Sequence, residues 1–285
     1  PRHFMTTATP TPPLVLIFAA SDPTAGAGIQ ADTLTLASLG CHPLSVLTAM
    51  TVQDTTGVKG VHAVAADFLE RQGRTLLADM HVAAFKIGVL GSVENVVAVA
   101  GIVADHPDIP LVFDPVLASG RGDDFSGEAI IAAMREFLLP RTTVLTPNAP
   151  EARRLAEGQP GIDLCAQRLT AMGAHYVLIT GTHENTPEVI NTLYSQGGVL
   201  RQDRWERLPG SYHGSGCTLA SAIAGYLARG ASVDDAVRDA QDYTWQTLAR
   251  GFRPGRGQFI PDRFYRTRSE GGNAAMDQAE GRGNG

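Results

Sequence analysis

The chain has 285 residues, 44% of them hydrophobic, with 23 lysines and arginines against 29 aspartates and glutamates, a formal net charge of −6. That length and apolar content support a full core, in one large domain or two small ones. No stretch gathers basic residues with interleaved aromatics, so the electrostatic footprint of a nucleic-acid binder is missing and a small-molecule partner is favoured.

Cys41, Cys165 and Cys217 are odd in number, widely separated and without metal-ligand spacing. They fit a reducing compartment, with the cytoplasm as the expected location. The apolar run at 14–20 is too short to span a bilayer and reads as a buried strand. Residues 1–13 and the Gly-rich, polar 269–285 have little to bury and are expected to be disordered flanks of one domain over 14–268.

In chain order, a strand at 14–19 leads through a Gly-rich turn at 25–28 into a helix whose Ile29, Leu34 and Leu36 face the core, with Gly40 as its stop. A strand at 44–52 follows, then a helix at 66–78 and a strand at 82–87. Ser92 is the expected N-cap of a helix running through Ala104. Residues 111–114 form a compact strand, 119–122 a Gly-rich loop, and a helix then ends near Leu139. A strand at 143–146, a helix opening near Asn148, a helix at 164–172 stopped by Gly173, and a strand at 176–180 continue the alternation. Residues 189–194 and 199–207 read as a hairpin around Gly197-Gly198, and helices at 216–228 and 233–250 close the domain. Such alternation predicts an α/β fold with a parallel sheet wrapped by helices.

In such sheets ligands bind where strands end and helices begin. His213-Gly214-Ser215-Gly216-Cys217-Thr218 opens a helix, and its glycines and helix N-terminus suit an anion. On spacing alone, a phosphate cradle and a packed turn are equally good readings. In that first turn the helix field is expected to favour the Cys217 thiolate. The loop after the first strand, Ala20-Ser21-Asp22-Pro23-Thr24-Ala25-Gly26-Ala27-Gly28, fails the dinucleotide spacing; it serves either to admit a flat ligand against backbone or as a tight connection. Asp114-Pro115-Val116 and Asn148-Ala149-Pro150-Glu151 put oxygen ligands suited to Mg²⁺ at strand ends, while Asn148 and Glu151 also read as a capping box. Gln53 ends an apolar strand and can present a donor and an acceptor to a heteroaromatic edge. Lys86, between Phe85 and Ile87, reads as an ion-paired or snorkelling lysine.

Taken together and in order, these segments resemble the hydroxymethylpyrimidine and phosphomethylpyrimidine kinases of thiamin biosynthesis, in the ribokinase-like superfamily. The resemblance rests on Ser21-Asp22-Pro23, Gly26-Ala27-Gly28-Ile29-Gln30-Ala31-Asp32, Gln53, Lys86-Ile87-Gly88, Asp114-Pro115-Val116, Thr146-Pro147-Asn148 with Glu151, and His213 to Thr218, and it spans 14 to about 254. It implies a ribokinase-like three-layer αβα sandwich with a central, mainly parallel sheet, a homodimer, and two successive ATP-dependent phosphorylations of 4-amino-5-hydroxymethyl-2-methylpyrimidine. By the same resemblance, Gln53, Ala20, Asp22, Ala27 and Val89 bind the pyrimidine. Gly214, Ser215, Gly216 and Cys217 form a catalytic anion hole. Thr180, Gly181, His213 and Asn148 contact ATP, and Asp114 and Glu151 organise Mg²⁺. A pyridoxal or pyridoxamine kinase is the nearest alternative, and a non-catalytic pyrimidine-binding module on the same fold is the second.

Overall fold

The computed structural model describes residues 10–117 and 126–268, so the expected loop at 119–122 and most of the two flanks lie outside the described residues. Within the expected N-terminal flank, the Pro13 carbonyl already accepts a hydrogen bond from the His42 N–H at 2.9 Å. Among the described residues nine strands form one sheet in the order β3-β2-β1-β4-β5-β6-β7-β8-β9. They are β1 (Leu14–Ser21), β2 (His42–Asp54), β3 (Gly57–Ala63), β4 (Val82–Ile87), β5 (Leu111–Phe113), β6 (Val144–Leu145), β7 (Tyr176–Ile179), β8 (Glu188–Ser195) and β9 (Gly198–Glu206). The six strands from β2 to β7 in that order run parallel, and β3, β8 and β9 join antiparallel at the two edges.

Among the described residues eight α-helices cover the sheet: α1 (Gly28–Ser38), α2 (Ala66–Asp79), α3 (Val93–Ala104), α4 (Glu128–Ala133), α5 (Ala149–Leu155), α6 (Ile162–Ala171), α7 (Ser215–Ala228) and α8 (Val233–Ala249). Strand alternation divides the core between its two faces. Leu16 and Phe18 of β1 pack with α2, α3 and α6, whereas Val15, Ile17 and Ala19 pack with α1, α7 and α8. The result is the three-layer αβα sandwich implied by the sequence.

Local signals explain most boundaries. Ser92 caps α3 by accepting from the Asn95 N–H at 3.1 Å, as expected. In α1 the buried positions include Ile29 and Leu36, while Leu34 is only half-buried and the polar Asp32 takes a fully buried place. The helix expected to end near Leu139 is α4 continued by a π-turn at Met134–Leu138 and a 3₁₀ turn at Leu139–Arg141. The sequence pattern did not reveal β3, nor the segment after α8, where Phe252 pairs with Ile260 and Phe259 with Tyr212.

Candidate active site

The C-terminal ends of the parallel strands and the N-terminus of α7 open on one cavity of about 800 Å³. It extends from the switch between β1 and β4, where the strand order reverses and open α/β sheets bind ligands. Ala20, Asp22, Ala27, Gln53 and Val89, the residues that the resemblance assigns to the pyrimidine, all line it.

Asp22 organises this group. Its carboxylate accepts from the Thr24 N–H at 2.9 Å, the Thr24 hydroxyl at 2.9 Å and the Ala27 N–H at 2.8 Å. Burial opposes its charge, but these bonds and His213 hold its pKa below the usual aspartate value. His213, which the resemblance places with ATP, borders this group: its Nε2 is 2.7 Å from Asp22 Oδ2 and 2.8 Å from Gln53 Nε2. A charged Asp22 accepts the single Nε2 hydrogen, which leaves that nitrogen no lone pair for an N–H of Gln53, so Gln53 can only share the same hydrogen through its carbonyl oxygen. Thr51 Oγ1 likewise has one hydrogen, 2.9 Å from the Ser21 carbonyl oxygen and 3.1 Å from Gln53 Oε1. Turning the Gln53 amide so that its carbonyl faces His213 and its NH₂ faces Thr51 satisfies both counts at once. One N–H and one lone pair of Gln53 are then left for a ligand.

The start of α7 lies alongside. Gly214 is the N-cap of α7 with φ of 82°, and a Cβ there would come 1.9 Å from the Gly26 carbonyl oxygen, so no other residue fits. The Gly214 carbonyl accepts from the Thr218 N–H at 2.9 Å and the Thr218 hydroxyl at 2.8 Å. By helix geometry the N–H groups of Ser215, Gly216 and Cys217 have no carbonyl within the helix to pair with, and all three residues line the cavity.

Asp114 and Glu151 face the same space and are buried. Desolvation raises Asp114 to about 6, with Lys86 lowering it and Asp32 raising it. Desolvation, and then the charge of Asp114, raise Glu151 to about 8. The Asn148–Glu151 capping box is present, with both bonds at 2.9 Å. Thr180 and Asn148 line the cavity, but Gly181 is not among its lining residues and gives its N–H to Asn191 Oδ1 at 3.1 Å. The expectation of a Cys217 thiolate is reversed: desolvation, reinforced by Asp114 and Asp32 and only partly offset by Lys86, pushes the thiol up to about 12. A helix terminus is too weak to overcome that combination.

The phosphomethylpyrimidine kinase family matches residues 22–262. The chain belongs to that family. It is 40% identical over 260 residues to the hydroxymethylpyrimidine/phosphomethylpyrimidine kinase of Streptomyces coelicolor, covering 89% of this chain and 96% of that protein. Among solved structures it resembles the pyridoxal kinase from Staphylococcus aureus in complex with ADP, at 29% identity and a TM-score of 0.83 over 90% of this chain and 96% of that one. It also resembles the phosphomethylpyrimidine kinase from Clostridium difficile 630, at 28% identity and a TM-score of 0.72 over 83% and 99%.

The structure adds residues to this kinase site that sequence reasoning did not assign to it. Lys86, on β4, turns to the α1 and α7 side and meets Asp32 Oδ2 at 2.8 Å, both side chains being fully buried. Ser221 of α7 donates to Asp32 Oδ1 at 2.7 Å. Burial opposes the ammonium charge, but Asp32, with Cys217 and Asp114, holds Lys86 above the ordinary lysine range. Trp205 and Trp245 stack with centroids 6.4 Å apart and line the cavity. Only their exposure on a wall, which spacing does not encode, marks them out.

Proposed function

We propose that this kinase transfers a phosphoryl group from ATP to the hydroxymethyl oxygen of 4-amino-5-hydroxymethyl-2-methylpyrimidine, and a second one onto the resulting monophosphate, in thiamin biosynthesis. The observation that carries this reading is Gln53, fixed by His213 and Thr51, in one cavity with the open N–H groups of Ser215, Gly216 and Cys217. The free N–H and lone pair of Gln53 complement the ring nitrogen and adjacent amino group of an aminopyrimidine. Asp22 holds the loop beneath the ring through Thr24 and Ala27.

Phosphoryl transfer depends mainly on positioning and charge neutralisation. The first-turn N–H groups of α7 bind the oxygens of the transferring group, where negative charge is concentrated. The Cys217 thiol accepts the alcohol proton late, as the new O–P bond forms, and gives its own proton to Asp114, the nearby carboxylate whose charge acts on the thiol. ATP extends along Asn148 and Thr180, and its base meets the wall formed by Trp205 and Trp245. The acidic pair fits Mg²⁺: Asp114 Oδ2 is buried without a hydrogen-bond partner among the described residues, and desolvation raises both carboxyls, which a bound cation would oppose. Asp114 and Glu151 would hold the ion, directly or through water, and it would neutralise phosphate charge. No group of three or more His, Cys, Asp or Glu among the described residues forms a metal cage, which suits an ion that keeps waters and phosphates as ligands.

The same reading takes the kinase as a cytoplasmic homodimer; among the described residues no helix is long and apolar enough to cross a membrane. Likeness to a pyridoxal kinase structure supports pyridoxal as a second acceptor. Competing initial rates with the two acceptors test the choice: the aminopyrimidine is expected to have the higher kcat/KM, and a preference for pyridoxal would overturn it.

A further inference from the structure

Arg263 follows directly after the residues that the family matches, on the segment that folds back over the site after α8. It is 4% exposed, and among the described residues no carboxylate forms an ion pair with it. Its guanidinium donates to three places: Thr218 Oγ1 at 3.1 Å, the Ala25 carbonyl at 3.3 Å and the Gly26 carbonyl at 2.6 Å. The first lies in the opening turn of α7 and the others in the loop after β1.

Peptide geometry gives these contacts a consequence. In a trans peptide the C=O and the following N–H point in opposite directions, and fixing one fixes the other. Thr218, held by Arg263, donates its hydroxyl hydrogen to the Gly214 carbonyl at 2.8 Å. With that carbonyl turned into the helix, the N–H of Ser215 points the opposite way, out of the helix start. On the other branch, the Gly26 carbonyl turned to Arg263 directs the Ala27 N–H to Asp22 Oδ2, where it is found at 2.8 Å. The Ala25 contact holds a non-glycine residue in the left-handed region, at φ of 57°. Gly26 and Gly214 are themselves in van der Waals contact range, so the two loops share one anchor.

We propose that Arg263 is a positioning residue of the phosphoryl-transfer site, setting the direction of the Ser215 N–H through Thr218 and Gly214 while fixing the loop that holds Asp22. This rests on the anion-hole role given above to Ser215, Gly216 and Cys217. A fork of donors is required: one ammonium cannot reach Thr218, Ala25 and Gly26 together, so lysine is a poor substitute despite its charge.

The test compares the parent with Arg263→Lys, Arg263→Met, Thr218→Val and Thr218→Ser in steady-state kinetics with Mg-ATP and the aminopyrimidine. Arg263→Lys, Arg263→Met and Thr218→Val are expected to lower kcat by about tenfold or more, short of the ~10²–10³-fold loss from removing a direct donor. KM for the aminopyrimidine should change less than threefold in Thr218→Val, and Thr218→Ser, which keeps the hydroxyl, should recover kcat to within about threefold of the parent. If the arginine variants do not fold, the two Thr218 variants decide. Equal kcat for Thr218→Val and Thr218→Ser, or parental kcat in Arg263→Met, overturns the proposal. An inactive parent would overturn the kinase reading instead; sulfate titration followed by the Ser215 amide resonance then judges Arg263 separately. Tighter sulfate binding by the parent than by Thr218→Val supports the positioning role, and equal binding refutes it.

Discussion

Lys86 Nζ and Asp32 Oδ2 form a 2.8 Å ion pair between β4 and α1, with neither side chain exposed to solvent. Removing one partner leaves the other charged, buried and uncompensated, which typically costs about 3–5 kcal/mol. Lys86→Met is therefore expected to lose that much stability in urea unfolding, and Lys86→Met with Asp32→Leu to regain most of it. A single-variant loss under about 1 kcal/mol would show that the pair is not what holds α1 to β4.

Gln53 tests the substrate end. Truncating it removes a donor and an acceptor from the ring edge, and an unpaired buried polar group costs about 1–3 kcal/mol. Gln53→Ala should weaken aminopyrimidine binding by that amount in calorimetry while leaving ATP binding unchanged. Parental affinity would mean that the ring lies elsewhere in the cavity.

Cys217 tests the proton path. Cys217→Ala keeps the backbone N–H of the cradle but removes the thiol, so acceptor KM should hold while kcat falls by about 10²-fold or more, the ordinary size of a general acid–base contribution. Unchanged turnover would leave Cys217 with a packing role only.

Much of this site is legible in the sequence because its signals are local. The run from His213 to Thr218, Asp114 after an apolar strand, and the Asn148–Glu151 capping box each sit within a few residues. What escaped is non-local or aperiodic. Lys86 and Asp32 are 54 positions apart, and nothing near either one specifies the other. β3, Gly-Val-Lys-Gly-Val-His-Ala, lies at the sheet edge with no buried residue, so it lacks the alternating pattern of a half-buried strand. Arg263 follows a stretch rich in Gly, Arg and Pro that has no helical or strand period. The Cys217 thiolate was misjudged for a related reason: the helix start is visible in sequence, but the desolvation and the two aspartates that oppose it are not.

Burial of the acidic pair predicts a pH effect on the ligand-free enzyme. Glu151 rises from 4.5 to about 8 and Asp114 from 3.8 to about 6. Between the ordinary and the raised values, the native state holds protons that the unfolded chain has released, so these groups lower stability as pH rises through that window. Glu151→Gln should therefore melt higher than the parent at pH 8, with the difference shrinking as pH falls and vanishing well below pH 4.5, where Glu151 is neutral in both states. A difference independent of pH would contradict the raised value.

The central claim is successive phosphorylation of one small pyrimidine in this cavity. Mass spectrometry of the purified protein incubated with Mg-ATP and 4-amino-5-hydroxymethyl-2-methylpyrimidine tests it most directly. The monophosphate should form first and the diphosphate after it, both disappearing when ATP is omitted. Absence of both products, with the protein folded and ATP intact, would contradict the account.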